Sequence, residues 1–156
     1  MRRLMVVAVI SMLAAAGPVA AMPITDTEAQ VLALINAQRQ AGGCGPLVVN
    51  RQLQAAAEGH ANAMAVKNFF SHVGKNGSKL KSRVRAEGYK GGIANGQKTP
   101  AAVVAAWMGS QGHRANIMKC RYQETGIALM YQADDEALPG DSYVPHYYWV
   151  QVFGKR

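Results

Sequence analysis

The residues best suited to chemistry lie between Trp107 and Cys120, where the sequence reads WMGSQGHRANIMKC. Ser110 and His113 are three residues apart, a spacing that lets a hydroxyl and an imidazole touch on one helical turn. Such a pair can form a nucleophile and its base, but the nucleophile-elbow motif is missing and no acid stands beside the imidazole to orient it. A hydrogen bond that orders the rim of a pocket is the better interpretation.

A helix with one buried face is predicted to lead into this stretch. Its large apolar residues recur at i, i+1, i+4 and i+5, which is typical of a single helical face; they are Val103, Val104, Trp107 and Met108. Thr99 followed by Pro100 marks the start, because threonine is a good N-cap and proline fits the first turn. Gly112 predicts a break, so the polar residues around it are expected at the edge of a pocket.

A second helix and an irregular turn are predicted to position His72. Asn50 is the expected cap of this helix. Its apolar stripe includes His60, which we expect to be a core residue with a hydrogen-bond partner. The sequence KNFFSH, residues 67–72, then departs from helical periodicity, because two adjacent aromatic rings cannot both face one core. It predicts a turn that is pinned by one buried phenylalanine and holds His72 near the surface.

The other predicted elements are shorter or less regular. They are a helix with the stripe Val31, Leu34, Ile35 and Gln38 that ends at Gly42, an extended piece at 47–49, a helix from Lys79 to Glu87, and strands at 126–132 and 146–153. Glycines at 88, 91, 92 and 96 predict a flexible connection, because glycine is conformationally permissive.

The N-terminal residues are typical of a secretory signal. Arg2 and Arg3 precede an apolar run from Leu4 to Ala16, and small residues follow at a suitable cleavage position. The run is short for a membrane span of roughly 20 residues, and no second hydrophobic stretch follows. We expect residues 1–21 to be a signal peptide, residues 22–156 to form a single domain, and the protein to be secreted or periplasmic rather than transmembrane.

The two cysteines of the chain, Cys44 and Cys120, are expected to be oxidised. Exported proteins reside in oxidising compartments where disulfides persist. The sequence contains no CxxC motif, so it indicates neither a zinc ribbon nor a thioredoxin-like redox site. A Cys44–Cys120 disulfide is therefore predicted.

The chain is basic, with a formal net charge of +8. Much of this charge gathers in one segment, at Lys75, Lys79, Lys81, Arg83, Arg85 and Lys90. The cluster fits either a solvated helix face or attraction to an anionic lipid or wall polymer. Nucleic acid is a poor candidate for the partner, because no aromatic residues interleave the basic ones to stack on bases.

Three patterns in series resemble the CAP family, which comprises cysteine-rich secretory proteins, antigen 5 and pathogenesis-related 1 proteins. They are LxxAAxxHAxxMAxxxFFSH from Leu53 to His72, WMxSxGHRANIM from Trp107 to Met118, and YWVQVFG from Tyr148 to Gly154. The chain is most similar to the short bacterial branch of SCP-domain proteins. The resemblance implies an α+β fold, a three-layer α-β-α sandwich with a small antiparallel sheet between helices.

The resemblance also implies a cleft in which up to four polar residues can hold a divalent metal such as zinc. By position, its two histidines are His72 and His113. Larger members add two glutamates, but Ser110 and Gly91 stand at those positions here. Two imidazoles without a carboxylate predict weak zinc binding and a poor hydrolytic site, because zinc hydrolases use about three protein ligands and a general base.

The resemblance thus predicts a binding cleft formed by His72, Ser110, His113 and Asn116, without catalytic residues. The carboxylates with a sequence argument for lying near it are Glu87 and Glu124. We expect an exported monomer that is a non-catalytic binding module for an envelope or extracellular ligand, either a lipid or sterol or a wall polymer. The alternative is a metal-dependent hydrolase that uses His72 and His113.

Overall fold

The computed structural model describes residues 24–79, 82 and 90–155. Its helices are α1 (Asp26–Ala41), α2 (Arg51–Val66), α3 (Pro100–Gly109) and α4 (Gln111–Ile117), and its strands are β1 (Val48–Val49), β2 (Lys90–Asn95), β3 (Glu124–Tyr131) and β4 (Tyr147–Gly154). The predicted signal peptide and nearly all of the helix predicted from Lys79 to Glu87 lie outside the described residues. Within the described ranges, no helix is both long and apolar enough to cross a membrane.

Helices α2 and α3 begin at their predicted caps, Asn50 and Thr99, and α1 begins after Thr25. The Thr25 hydroxyl accepts a hydrogen bond from the Glu28 N–H, and the Glu28 carboxylate accepts one from the Thr25 N–H, which forms a capping box. The Asn50 side chain accepts hydrogen bonds from the first turn of α2. Thr99 caps α3 in the same way, with Pro100 at its first position. These caps satisfy backbone donors that have no partner inside a helix.

The four strands form one sheet in the order β1–β3–β4–β2. Strands β3 and β4 are antiparallel over their full length, and β2 is antiparallel to β4. Strand β1 adds a two-residue parallel pairing at the start of β3. Helix α2 packs on one face of the sheet and α1, α3 and α4 on the other. The predicted α+β three-layer sandwich is confirmed, with one short parallel pairing in an otherwise antiparallel sheet.

Each face of the sheet has its own apolar core, because side chains alternate along β4. Tyr148, Val150 and Val152 face α2, whereas Trp149 and Phe153 face the opposite helices. Full burial of a large apolar side chain contributes about 1.5–3 kcal/mol. The two-residue period of β4 therefore fixes which helices lie on which face.

Helix α2 lies directly against β3 at Gly126. A Cβ atom at Gly126 would meet the backbone of Leu53 and Gln54, so the close approach requires glycine. This approach lets the Gln54 side chain pair with the backbone of Ile127. Its Nε2 donates to the Ile127 carbonyl at 2.7 Å, and its Oε1 accepts from the Ile127 N–H at 2.9 Å.

The outer edge of β3 is covered by side chains where β1 ends. Besides the Gln54 amide, the buried carboxylate of Glu28 accepts a hydrogen bond from the Leu129 N–H at 3.1 Å. Buried backbone donors and acceptors need partners, and an uncovered strand edge invites pairing with other chains. Gln54 and Glu28 therefore take the place of further β1 residues.

The predicted Cys44–Cys120 disulfide is present, with the two Cα atoms 4.8 Å apart. Beside it, the fully buried Arg39 donates hydrogen bonds to backbone carbonyls, those of Gly45 (2.9 Å), Ile117 (2.6 Å), Lys119 (3.3 Å) and Tyr122 (2.7 Å). Burial lowers the pKa of Arg39, but an arginine keeps its charge in a protein. We call Arg39 and this disulfide the disulfide corner; it ties the end of α1 to the segment before β3.

Three sequence predictions need correction. The break expected at Gly112 lies instead at Ser110, between α3 and α4, and Gly112 is inside α4. The glycine-rich residues 90–95 are not a flexible connection but strand β2, paired with β4 from Lys90 opposite Phe153 to Asn95 opposite Tyr148. Glycine disfavours strands, and the pairing with β4 overrides that preference. On α1, Leu34 is exposed and Arg39 is buried. The periodicity of apolar residues does not predict the burial of an arginine.

Candidate functional site

His72 lies in the turn that follows α2. The buried Phe69 contacts the ring of His60 edge-on, with the ring centroids 6.1 Å apart. His60 is itself buried, and its Nε2 lies 2.8 Å from the Ser71 carbonyl oxygen. These contacts confirm a core role for His60 and a turn pinned by one phenylalanine. They hold the backbone next to His72, whose side chain is exposed.

His113 lies on α4 with its ring against the backbone of β2. A Cβ atom at Gly92 would be only 3.2 Å from the His113 Cδ2 atom, so the ring occupies space that a glycine leaves open. His113 is half-buried in this position. The ring of His113 therefore packs against the backbone of strand β2.

The structure brings the two histidines together. The ring centroids of His72 and His113 are 6.3 Å apart, and the ring planes are tilted by 48°. His72 follows the helix on one face of the sheet and His113 lies on the other face, so the rings meet beside β2, an edge of the described sheet. Burial lowers the pKa of His113, and the charge of His72 lowers it further. Both effects favour the neutral imidazole of His113, which offers a nitrogen lone pair.

The other two predicted cleft residues flank His113 on α4. Ser110 ends α3 and begins α4, and its side chain does not cap the helix. Asn116 is half-buried in the last turn, and its carbonyl accepts a hydrogen bond from the Lys119 N–H at 3.3 Å. The spacing of three residues places Ser110, His113 and Asn116 along one side of the helix. Their role in binding stays a prediction.

The described residues do not fit a three-ligand zinc site. Within them, no group of three or more His, Cys, Asp or Glu side chains is placed to hold a metal ion. Gly91 offers no side-chain ligand, and Glu87 lies outside the described residues. Because zinc sites usually have three or four protein ligands, the geometry supplies fewer than either a structural or a catalytic site needs.

Glu124 lies away from the two histidines. It is the first residue of β3, opposite Gly154, and its carboxylate accepts a hydrogen bond from the Asn50 side chain at 3.2 Å. Strand β3 is two strands away from β2, roughly 10 Å across the sheet, and Glu124 is also displaced along the strand from the level of Gly92 by about the same distance. Glu124 supports the N-terminus of α2 rather than the cleft.

Gly92 is the site residue that the sequence reasoning missed. The signal in the sequence was weak: a pair of glycines, Gly91-Gly92, followed by two apolar residues, Ile93 and Ala94. A glycine inside a strand often marks the close approach of another group. In this protein that group is the imidazole of His113.

A model of the Cysteine-rich secretory protein family, CAP, matches residues 32–153 of the chain. Among curated proteins, YkwD of Bacillus subtilis (strain 168) is 36% identical over 108 residues, which are 66% of this chain and 42% of YkwD. This chain therefore spans less than half the length of that relative.

Solved structures with this fold include two bacterial surface or extracellular proteins. An extracellular protein containing an SCP domain from Bacillus anthracis str. Ames superposes with a TM-score of 0.69 at 21% identity, over 86% of this chain and 45% of that one. An outer surface protein from Borrelia burgdorferi superposes with a TM-score of 0.70 at 18% identity, over 85% of this chain and 96% of that one. At these identities the likeness shows the fold alone.

Proposed function

This chain belongs to the cysteine-rich secretory protein (CAP) family, and from that premise we propose that it is an exported, non-catalytic binding module for an envelope or extracellular ligand. The proposed ligand classes are a lipid or sterol and an anionic wall polymer. The proposed contacts are His72, Ser110, His113 and Asn116, presented by a monomer.

The observation that carries the proposal is the approach of His72 to His113 without a third ligand among the described side chains. Hydrolysis at a zinc ion needs about three protein ligands and a general base. Imidazoles next to a serine and an asparagine instead supply hydrogen-bond donors and acceptors at a half-open surface. Such groups suit the recognition of a polar head group or a sugar hydroxyl.

The alternative, a metal-dependent hydrolase built on His72 and His113, is supported by the proximity of the two rings. Among the described residues, no carboxylate is placed to complete the ligand set or to act as base. Two imidazoles are expected to bind zinc weakly and reversibly, and to release it as the pH falls and protons compete for the ring nitrogens. Such binding is compatible with a non-catalytic module.

Export is supported by the disulfide corner, because disulfides persist in oxidising compartments. The two solved relatives are described as extracellular and as an outer surface protein. We propose the same side of the membrane for this chain, with residues 1–21 as its signal peptide.

The proposal is tested by NMR titration of the exported, disulfide-bonded protein. The probes are soluble wall-polymer fragments, a sterol, and a short-chain phosphatidylglycerol kept monomeric. At least one probe is expected to shift the ring-proton signals of His72 and His113, and His113→Ala is expected to weaken its binding. If no probe shifts these signals and the protein instead hydrolyses a probe, the binding-module proposal is wrong.

A further inference from the structure

Exposed apolar side chains concentrate at the end of α2 and in the turn after it. Val66 is 68% exposed, Phe70 37% and Val73 41%. The other exposed large apolar residues are spread over the described chain; they are Leu34, Val48, Val49, Tyr131 and Tyr143. Single exposed apolar residues are ordinary on a protein surface, whereas a local cluster marks an interaction site.

The turn that carries these side chains is held from the inside. Phe69 is buried, and its N–H donates to the Met64 carbonyl at 3.1 Å. Asn68 adopts a left-handed conformation with φ of 42°, and its side chain donates to the Ala137 carbonyl at 2.9 Å. Because the backbone is already fixed, Phe70 is presented to a partner with little further ordering cost.

The charge of the same segment has one sign. From Gly59 to Lys79 the sequence contains no Asp or Glu, and its exposed basic residues are Lys67, Lys75 and Lys79. The Lys75 Nζ atom lies 5.9 Å from the centroid of the ring of Phe69, the residue before Phe70, so a basic group lies beside this turn. The acidic loop that contains Asp134 and Glu136 borders this surface at Asn68.

We propose that Val66, Phe70 and Val73, together with Lys67 and Lys75, form a docking turn that attaches the protein to an anionic lipid bilayer. The apolar side chains enter the boundary between head groups and acyl chains, and the lysines remain among the anionic head groups. This inference rests on the proposed function, because the docking turn meets such a bilayer only at the proposed location in the envelope. It would hold the cleft, which includes His72, beside the membrane.

A bilayer fits the docking turn better than a wall polymer does. A polyanionic polymer attracts the lysines but provides no apolar phase for Phe70 and Val73, whose burial is favourable in proportion to the apolar area removed from water. A bilayer with anionic head groups satisfies both parts of the surface.

The test is co-sedimentation of the exported protein with vesicles of phosphatidylcholine alone or mixed equally with phosphatidylglycerol. Binding is expected only to the anionic vesicles and is expected to weaken with salt, because salt screens exposed charges. Val73→Ser with Phe70→Ser is expected to lower the affinity about tenfold or more. Lys67→Gln with Lys75→Gln is expected to lower it about 25-fold, at roughly fivefold for each lysine near the surface.

The chain offers matched controls. Val48 is 42% exposed, close to the value for Val73, but lies on β1 beside the start of β3. Val48→Ser, and Lys119→Gln with Lys155→Gln, are expected to leave vesicle binding within about twofold of the wild type. Equal losses in the controls and in the docking-turn variants would overturn the docking turn.

Three further outcomes separate the possible partners. Binding that is lost with the lysine variants but unchanged by Phe70→Ser would indicate a purely ionic partner such as a wall polymer, and would overturn the bilayer. Loss of vesicle binding in His113→Ala but not in Phe70→Ser would place the lipid in the cleft, which overturns the docking turn and supports the proposed function. If the wild type binds no vesicle, the docking turn is wrong, and the NMR titration still decides the proposed function.

Discussion

The disulfide corner and the predicted cleft of His72, Ser110, His113 and Asn116, here called the histidine cleft, differ in the burial of their polar groups. In the disulfide corner, the Arg39 guanidinium is fully buried and every one of its nitrogen atoms donates to a backbone carbonyl. In the cleft, His72 is exposed, and Ser110 and His113 are half-buried. A buried polar group without a partner destabilises the fold, so Arg39 must be bonded internally, whereas accessible groups can exchange solvent for a ligand.

We propose that the disulfide corner serves stability and that the histidine cleft serves binding. The disulfide corner joins α1 to the segment before β3 through a covalent bond and a buried charge. His72 and His113 come from opposite helical layers, and their rings meet beside an edge strand of the described sheet. Substitutions in the disulfide corner should therefore lower the free energy of unfolding without changing the cleft. Substitutions in the cleft should change the properties of its histidines and leave the free energy of unfolding nearly unchanged.

The largest effect on stability is expected from removal of the disulfide. The two cysteines are 76 residues apart in sequence, and a loop of this length stabilises a protein by about 4 kcal/mol in the chain-entropy description. Cys44→Ser with Cys120→Ser should lower the free energy of unfolding by about that amount, measured by urea denaturation. The ring signals of His113 should stay in place. A loss below about 1 kcal/mol, or a displaced His113, would break the separation between the two regions.

Arg39→Met is expected to cost somewhat less, about 3 kcal/mol, because it leaves buried carbonyls without their charged donor. Urea denaturation of the disulfide-bonded protein measures the change. Arg114→Met, at an exposed position on α4, is the matched control and should change the stability by less than about 0.5 kcal/mol. Equal effects of the two substitutions would show that the buried guanidinium has no special role.

Much of the frame was predictable from the sequence, and Arg39 shows why the remainder was not. The helix caps at Thr25, Asn50 and Thr99 depend on residues that are neighbours in the chain. The Arg39 bonds to Ile117 and Tyr122 span 78 and 83 residues. Helical periodicity assigns a charged residue to the solvent side, and only the assembled fold gives Arg39 its carbonyl partners.

The same limit applies to the cleft. The motifs placed His72 and His113 in one site only through the family resemblance, since the residues are far apart in the chain. Their approach depends on β2, and the glycine-rich sequence of this segment does not predict a strand. The hydrogen bonds from the edge of β3 to Gln54 and Glu28 are likewise long-range contacts, and the presence of polar residues on a helix does not predict them.

A smaller effect on stability, below about 0.5 kcal/mol, is expected for His72→Ala, because the side chain is exposed. The variant should instead raise the pKa of His113 by removing the charge of its neighbour, and burial should keep that pKa below the usual value. NMR titration of the His113 ring measures this. An unchanged or lowered pKa would contradict the proximity of the two rings.

The lowered pKa of His113 also predicts how the stability of the protein depends on pH. Because the pKa of His113 is lower in the folded protein than in the unfolded chain, the unfolded chain binds more protons in this range. The resulting contribution to stability is complete above the unfolded pKa of about 6.5 and is lost as the pH falls through the lowered folded pKa. His113→Gln should remove this dependence in urea denaturation curves recorded across that range.

The claim that His72 and His113 serve binding rather than hydrolysis is tested most directly by measuring turnover of peptide and ester substrates by the exported protein with saturating zinc. Calorimetry on the same sample gives the zinc affinity. We predict micromolar or weaker zinc binding that is reduced in His72→Ala, and no turnover in either protein. Submicromolar affinity with zinc-dependent turnover that disappears in both His72→Ala and His113→Ala would contradict the claim.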